Sequence, residues 1–298
     1  MSVADSTLIQ PVRPTRLRDY LTLTKPEVTF LVLIAAGLGC FMASSSLNIR
    51  VLINVLLGTA LVAGGTATLN HYLERAYDAR MRRTASRPLP SGRLKPTEVL
   101  RFGIMLSTTG VLYLGFVVNV LSSVIGLLAL LSYLWLYTPL KRQTPLCTLI
   151  GAFPGAAPVL MGWSAAQNAL PFEAWILYAI LFVWQFPHFL AIAWIYREDY
   201  ARAGMLMLPL ADEEGDATFR QILICTGALI PLSLAPFVFG MTGKAYMLCA
   251  CLLGLGFFYF AYRASRCRSK GYARQLLHAS VIYLPIVYSV MVADKVGW

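Results

Sequence analysis

Long apolar runs divide this chain, and short polar segments separate them. Nine runs lie near residues 28–46, 51–69, 99–118, 121–138, 146–163, 173–195, 221–240, 245–262 and 276–293. A helix needs about 20 apolar residues to cross the hydrocarbon core of a bilayer. Pro154, Pro158, Pro187, Pro231 and Pro285 fall inside the runs, and membrane helices tolerate proline better than soluble ones do. Gly64, Gly65, Gly151 and Gly155 would let helices approach closely. The pattern predicts an all-α, polytopic membrane helix bundle of nine transmembrane helices. Residues 1–27 are expected to form a cytoplasmic N-terminal tail. Residues 28–298 form a single transmembrane domain, with active-site loops expected at 70–98 and 196–220.

Composition sharpens this. Of the 298 residues, 58% are apolar and 13% charged, where a soluble domain carries about a quarter charged residues. So few charges cannot wet the surface of a soluble globule, and so much apolar surface excludes a disordered chain. The net charge is +11. A basic balance can mean nucleic acid, but a chain this rich in apolar residues implies no nucleic-acid partner. With nine spans, 22 of the 25 Lys and Arg residues fall on the side of the N-terminus and alternate loops. Only Arg50, Lys244 and Lys295 fall on the other. By the positive-inside rule the basic face is cytoplasmic.

No apolar core precedes Val28, so no cleavable signal peptide is expected. Asp5 and Asp19 interrupt any transit-peptide character. The expected location is a bacterial inner membrane. The six cysteines show no metal spacing and read as small core hydrophobes.

Chemistry concentrates in two polar loops of the basic face. Asn70, Glu74 and Asp78 recur every four residues. At about 100° per residue, each step of four turns only about 40° around a helix, so the three oxygens share one stripe. Oxygen donors of this kind suit Mg²⁺, which is bound by a few carboxylates together with substrate phosphates. Arg75, Arg82, Arg83 and Arg87 lie close by, and guanidinium groups bind phosphate oxygens in forks. Lys141 or Arg142 could join them. The pairing of an acidic stripe with an arginine group is what a Mg²⁺–diphosphate requires.

In the second loop Asp199 could supply another carboxylate. Glu198 would point about 100° away on a helix. Glu213, Glu214 and Asp216 read as a solvated turn. His188 and Gln185 lie within the sixth run. A polar residue there faces a cavity or a partner, so both are substrate-pocket candidates, with Tyr196 just beyond. A hydrogen bond between helices is the alternative for His188, as is a role as base or iron ligand. His71 is expected to point away from the stripe.

Asn70, Glu74 and Asp78, followed by Arg83-Thr-Ala-Ser-Arg-Pro-Leu-Pro-Ser-Gly92, resemble the first signature of the UbiA-type intramembrane prenyltransferases. Further stretches resemble the branch that farnesylates heme: Leu23-Thr-Lys-Pro-Glu27, Tyr137-Thr-Pro-Leu-Lys-Arg142, Trp184-Gln-Phe-Pro-His-Phe189, Tyr196-Arg-Glu-Asp-Tyr200 and Ala203-Gly-Met-Leu-Met-Leu-Pro209. They run in order along nearly the whole chain. The resemblance implies farnesyl diphosphate and heme b as substrates, heme o and diphosphate as products, and Mg²⁺ as cofactor. A heme a synthase or a terminal oxidase is a candidate partner, and the sequence does not say whether the chain docks with either. Asn70, Glu74, Asp78 and Asp199 would then be the catalytic and metal residues.

The chain departs from the family where many members carry Asp in place of Glu74. It departs again in the second loop, where two Asp often stand four residues apart, whereas Asp199 has Ile195 and Ala203 at those positions. One Mg²⁺, or a second held mainly by diphosphate and water, fits better than a symmetrical pair. An aromatic quinone precursor as acceptor keeps the fold and changes the substrate. A small-solute transporter is disfavoured, because transporters place ionisable groups deep in their spans and here they gather in loops.

Overall fold

The computed structural model describes residues 15–296; Asp5, Arg13 and the rest of residues 1–14 lie outside the described residues. Helix α1 (Arg16–Leu23) precedes α2 (Pro26–Ala43) and α3 (Ile49–Asp78). Then come α4 (Pro96–Tyr113), α5 (Val120–Leu131), the single turn α6 (Thr138–Leu140), α7 (Cys147–Gln167) and α8 (Phe172–Ile195). Short helices α9 (Arg197–Ala203) and α10 (Leu208–Ala211) lead to α11 (Asp216–Val238), α12 (Lys244–Cys267) and α13 (Lys270–Ala293). Two segments are wound as π-helix: Leu114–Val118 continues α4, and Ser132–Tyr137 joins α5 to α6. Among the described residues nine helical stretches are long and apolar enough to cross a membrane, in the order the sequence predicts.

One element differs from the expected tail. Residues 16–23 form α1 because Thr15 caps it, its hydroxyl accepting from the Arg18 N–H. Leu23 is buried with Leu89, Leu94 and Val99, and Asp19 accepts from the Arg93 Nε at 2.9 and 3.1 Å. Leu17 and Leu21 stay exposed, as suits a helix lying in the membrane interface.

Neighbouring helices pack in sequence, α2 on α3, α3 on α4, α11 on α12 and α12 on α13, and α13 returns to touch α2. The most buried spans are α7 and α8. The close approach of α2 and α7 rests on small residues: a Cβ on Gly162 would strike the Ala36 carbonyl, and one on Gly39 the Val159 carbonyl. Contact of this kind replaces the hydrophobic effect, which gives no net drive between helices in lipid. All six cysteines are free, with Cys40 and Cys147 buried and Cys267 exposed.

Candidate active site

Helix α3 is 30 residues long and carries the stripe past the end of its apolar run. Asn70, Glu74 and Asp78 are 1%, 7% and 1% exposed, so all three face the interior of the bundle. Polar groups are not buried without partners, and here each partner is a cation from a different segment. Lys25 Nζ donates to Asn70 Oδ1 at 3.1 Å. Lys141 Nζ donates to Glu74 Oε1 at 2.8 Å. Arg87 Nη1 donates to Asp78 Oδ2 at 2.7 Å.

Local chemistry delivers each cation. Lys25 precedes Pro26, and a residue before proline is disfavoured in the right-handed helical region. It takes up a left-handed conformation, φ 47°, uncommon for a residue with a side chain. The sharp turn between α1 and α2 aims its ammonium at Asn70. Burial pushes this lysine down to about 8, and the nearby Arg87 charge adds to the effect. Arg87 is brought back to α3 by a folded turn in which Thr84 Oγ1 donates to the Asp78 carbonyl at 2.8 Å. Lys141 follows the one-turn α6, and its carbonyl accepts from the Leu206 N–H at 2.7 Å. Burial alone would push Lys141 down, but the Glu74 carboxylate outweighs it and holds the ammonium well above the ordinary lysine value. Asn70 is oriented by a second bond, its Nδ2 donating to Thr138 Oγ1 at 3.3 Å.

The other residues singled out in the sequence divide clearly. Asp199 is buried and accepts from the Arg82 backbone N–H at 3.3 Å, which ties the second loop to the first. Arg202, one turn along α9, pairs with the same carboxylate. Glu198 points out to Lys270 at 2.7 Å, as the helical spacing predicts. Arg75 does not join the stripe: it is exposed and donates to the Tyr72 carbonyl of its own helix. The side chains of Arg82 and Arg83 are exposed too. Arg83 lies over the Tyr196 ring, 5.1 Å from its centroid. Lys141 and Arg142 part company. Arg142 turns outward and donates to the Tyr77 hydroxyl.

Gln185 bonds to backbone between two helices. Its Nε2 donates to the Ala152 and Leu181 carbonyls at 3.0 and 3.3 Å, bracing α8 against α7. His188 stacks on Trp184, and its Nδ1 lies 2.8 Å from Ser280 Oγ on α13, so it too bonds between helices. His71 does not point away as expected. Seven residues complete almost two turns, and its Nδ1 stands 4.0 Å from Asp78 Oδ2. Lys25 is the stripe's partner that the sequence did not single out, although it lies in the family-like stretch Leu23–Glu27. Its signal was the proline that follows it.

The donor set fits a hard divalent cation. Asp78 Oδ1 is buried with no hydrogen-bond partner, an oxygen aimed inward and unused. Among the described residues no three His, Cys, Asp or Glu side chains converge as a metal cage. Mg²⁺ is commonly bound through one or two carboxylates and completes its octahedron with phosphate and water.

The UbiA prenyltransferase family model matches residues 30–282. The chain belongs to the UbiA prenyltransferase family and is a multi-pass membrane enzyme. It is 48% identical over 291 residues to a protoheme IX farnesyltransferase of Solibacter usitatus (strain Ellin6076), covering 94% of this chain and 100% of that one. It is 44% identical over 290 residues to a protoheme IX farnesyltransferase of Koribacter versatilis (strain Ellin345), covering 94% of each. The fold matches the solved structure of a digeranylgeranylglyceryl phosphate synthase with TM-score 0.78 at 20% identity, covering 93% of this chain and 98% of that one. A UbiA homolog from Archaeoglobus fulgidus bound to GPP and Mg²⁺ matches with TM-score 0.71 at 16% identity, covering 92% and 99%.

Proposed function

We propose that the chain transfers the farnesyl group of farnesyl diphosphate to a vinyl group of heme b, with addition of water, giving heme o and diphosphate. The observation that carries the reading is the buried Asn70, Glu74 and Asp78 stripe with Lys25, Lys141 and Arg87 converging on it. The near full-length similarity to farnesyltransferases of protoheme IX selects the substrates.

Asn70, Glu74 and Asp78 would hold Mg²⁺, with Asp199 nearby. The ion supplies charge neutralisation for the leaving diphosphate, the main electrostatic task of such a transfer. Lys25, Lys141 and Arg87 now donate to stripe oxygens, and the same three cations can turn to phosphate oxygens when the diphosphate docks. In the transfer the C1–O bond of farnesyl diphosphate breaks and its electron pair leaves on the diphosphate. The vinyl π electrons form the new bond to C1. Water adds to the resulting carbocation and loses a proton, leaving a hydroxyethylfarnesyl side chain. The apolar helices around the stripe exclude bulk water, which would otherwise trap the allylic cation.

The basic face, with 22 of the 25 Lys and Arg residues, supports an inner-membrane location with the N-terminus and site loops cytoplasmic. A reporter active only outside the cytoplasm, fused after residue 298, should be active; an inactive fusion would reverse the orientation. A heme a synthase or terminal oxidase would take the product. The reaction is tested by mass spectrometry of heme extracted after incubation with heme b, farnesyl diphosphate and Mg²⁺. The expected product has the mass of heme b plus a farnesyl group and a hydroxyl. Unchanged heme, with prenylated 4-hydroxybenzoate in a parallel reaction, would replace heme by a quinone precursor as acceptor.

A further inference from the structure

A second feature stands beside the stripe. A cleft of about 200 Å³ opens between the last turns of α3 and the end of the fourth span, lined by Leu73, Glu74, Tyr77, Trp135, Arg142 and their neighbours. Its floor reaches Glu74, so it communicates with the buried stripe. Its mouth faces the lipid side: Trp135 is 71% exposed, and Leu73 is exposed as well. The wall carrying Trp135 is the π-wound segment Ser132–Tyr137. Such turns are rare and gather at functional sites, because the extra residue re-aims the side chains around it.

Arg142 lines the cleft, and Arg80 stands outside its lining, beside the Tyr77 ring. The Arg142 guanidinium lies 4.7 Å from the Tyr77 ring centroid and that of Arg80 lies 6.0 Å from it. Both are exposed, and neither has a carboxylate partner among the described residues. They sit at the cytoplasmic end of α3, where a membrane-embedded amphiphile would present its charged end.

The geometry points to this cleft as the docking site of the acceptor, with the two propionates of heme b on Arg80 and Arg142 and its ring against Tyr77 and Trp135. The inference rests on heme b being the acceptor. At about 200 Å³ the cleft takes one edge of the porphyrin and leaves the rest of the ring on the lipid side, and heme b matches it in three respects. It is a flat aromatic ring, which the aromatic wall can stack on. It carries two carboxylates on one side, and guanidinium groups bind carboxylates in bidentate fashion. Its vinyl groups lie on the part of the ring away from the propionates. A ring hung from Arg80 and Arg142 therefore carries its vinyl groups down along α3. Asn70 lies seven residues below Tyr77, about 10 Å at the helical rise, on the same side of the helix. The vinyl group is thus brought to the level at which the farnesyl C1 leaves the diphosphate. The division of labour also explains why adjacent Lys141 and Arg142 point apart: one serves the stripe, the other the acceptor.

The test compares heme b with its dimethyl ester, in which the propionates carry no charge. Binding is followed by absorbance titration of the full chain in nanodiscs, and turnover by heme o formation. The wild-type chain should bind heme b about tenfold tighter than the ester, as charge-assisted hydrogen bonds require. Arg80→Gln with Arg142→Gln should bind both alike. It should raise KM for heme b about tenfold, leaving kcat and the KM for farnesyl diphosphate within about twofold. Arg80→Lys with Arg142→Lys keeps the charge and should restore part of the preference. A double Gln variant that still prefers heme b to its ester overturns the docking site. So does one whose KM rises for farnesyl diphosphate instead of heme. A wild-type chain that prefers heme b to the ester but forms no heme o overturns the reaction and leaves the docking site standing.

Discussion

The oxygen donors of α3 and the carboxylates of α9 occupy the same face of the membrane, yet they are held in different ways. Asn70 and Glu74 meet cations 45 and 67 residues away in sequence, and Asp78 meets Arg87 across a folded turn. Asp199 pairs with Arg202 in its own helix, and Glu198 meets Lys270 at the surface. The α3 group exists only once the bundle is assembled. The α9 ion pairs are local or solvated, and Asp199 is tied to another segment only through the Arg82 backbone N–H. Burying charges costs several kcal/mol per ion even when they are paired, and apolar replacements are often as stable or more so. A cluster of three cations and two carboxylates is therefore poorly explained by stability. It fits the proposed diphosphate ligand, which carries charge of its own.

The largest expected effect separates the two groups by activity. Asp78→Asn should lower heme o formation by about 10²–10³, the range seen when one electrostatic element of a transition state is lost. Asp199→Asn should cost about tenfold, as supporting groups do. Product is measured by chromatography at matched expression. Equal losses would erase the distinction between a primary stripe and a supporting carboxylate.

Stability separates them next. Lys141→Met leaves Glu74 buried and unpaired, which should destabilise the bundle by about 3–5 kcal/mol. Adding Glu74→Leu should recover most of that loss while leaving the chain inactive. Around Asp199, Arg202 is 39% exposed, and Arg202→Gln should cost under about 1 kcal/mol. Unfolding in detergent, followed by circular dichroism, reads all three. A stable Lys141→Met variant would mean that the Lys141–Glu74 pair is not a buried ion pair at all.

Much of this was legible before the structure. The nine spans follow from apolar length, and the stripe from a spacing of four on a helix that outlasts its apolar run. What was not legible depended on where turns send neighbouring side chains. Lys141 and Arg142 are adjacent and chemically alike, and only the end of α6 decides which faces inward. Arg75 reads as a phosphate ligand beside Glu74, but one step of about 100° turns it to the surface. His71 follows Asn70 in sequence, yet its ring stands beside Asp78, two turns on. Lys25 was hidden in a segment whose helix, α1, is too short to announce itself by periodicity. Gln185 read as pocket-lining because a polar residue in a span needs a partner; its partners are carbonyls of α7 and α8.

The smallest effect extends the comparison to Asp212, beyond α9, where a carboxylate serves only its own turn. Its Oδ2 accepts from the Thr218 N–H at 2.7 Å, satisfying a free donor at the start of α11. Burial alone would push this carboxyl up, but the backbone N–H groups of Thr218, Ala217 and Asp216 outweigh it and hold it below the ordinary aspartate value. A carboxyl depressed by folding contributes stability that is present above its unfolded value, about 3.9, and lost as pH falls through its lower folded value. Asp212→Ala should therefore cost about 1 kcal/mol at neutral pH, as the loss of a helix cap does, and the difference from wild type should shrink in acid. Asp212→Asn keeps an acceptor and should lose less. Heme o formation per folded molecule should not change in either variant, because Asp212 reaches neither the stripe nor its cations. A fall in turnover at full stability would place the second loop's turn in the site, and the contrast with α3 would have to be redrawn.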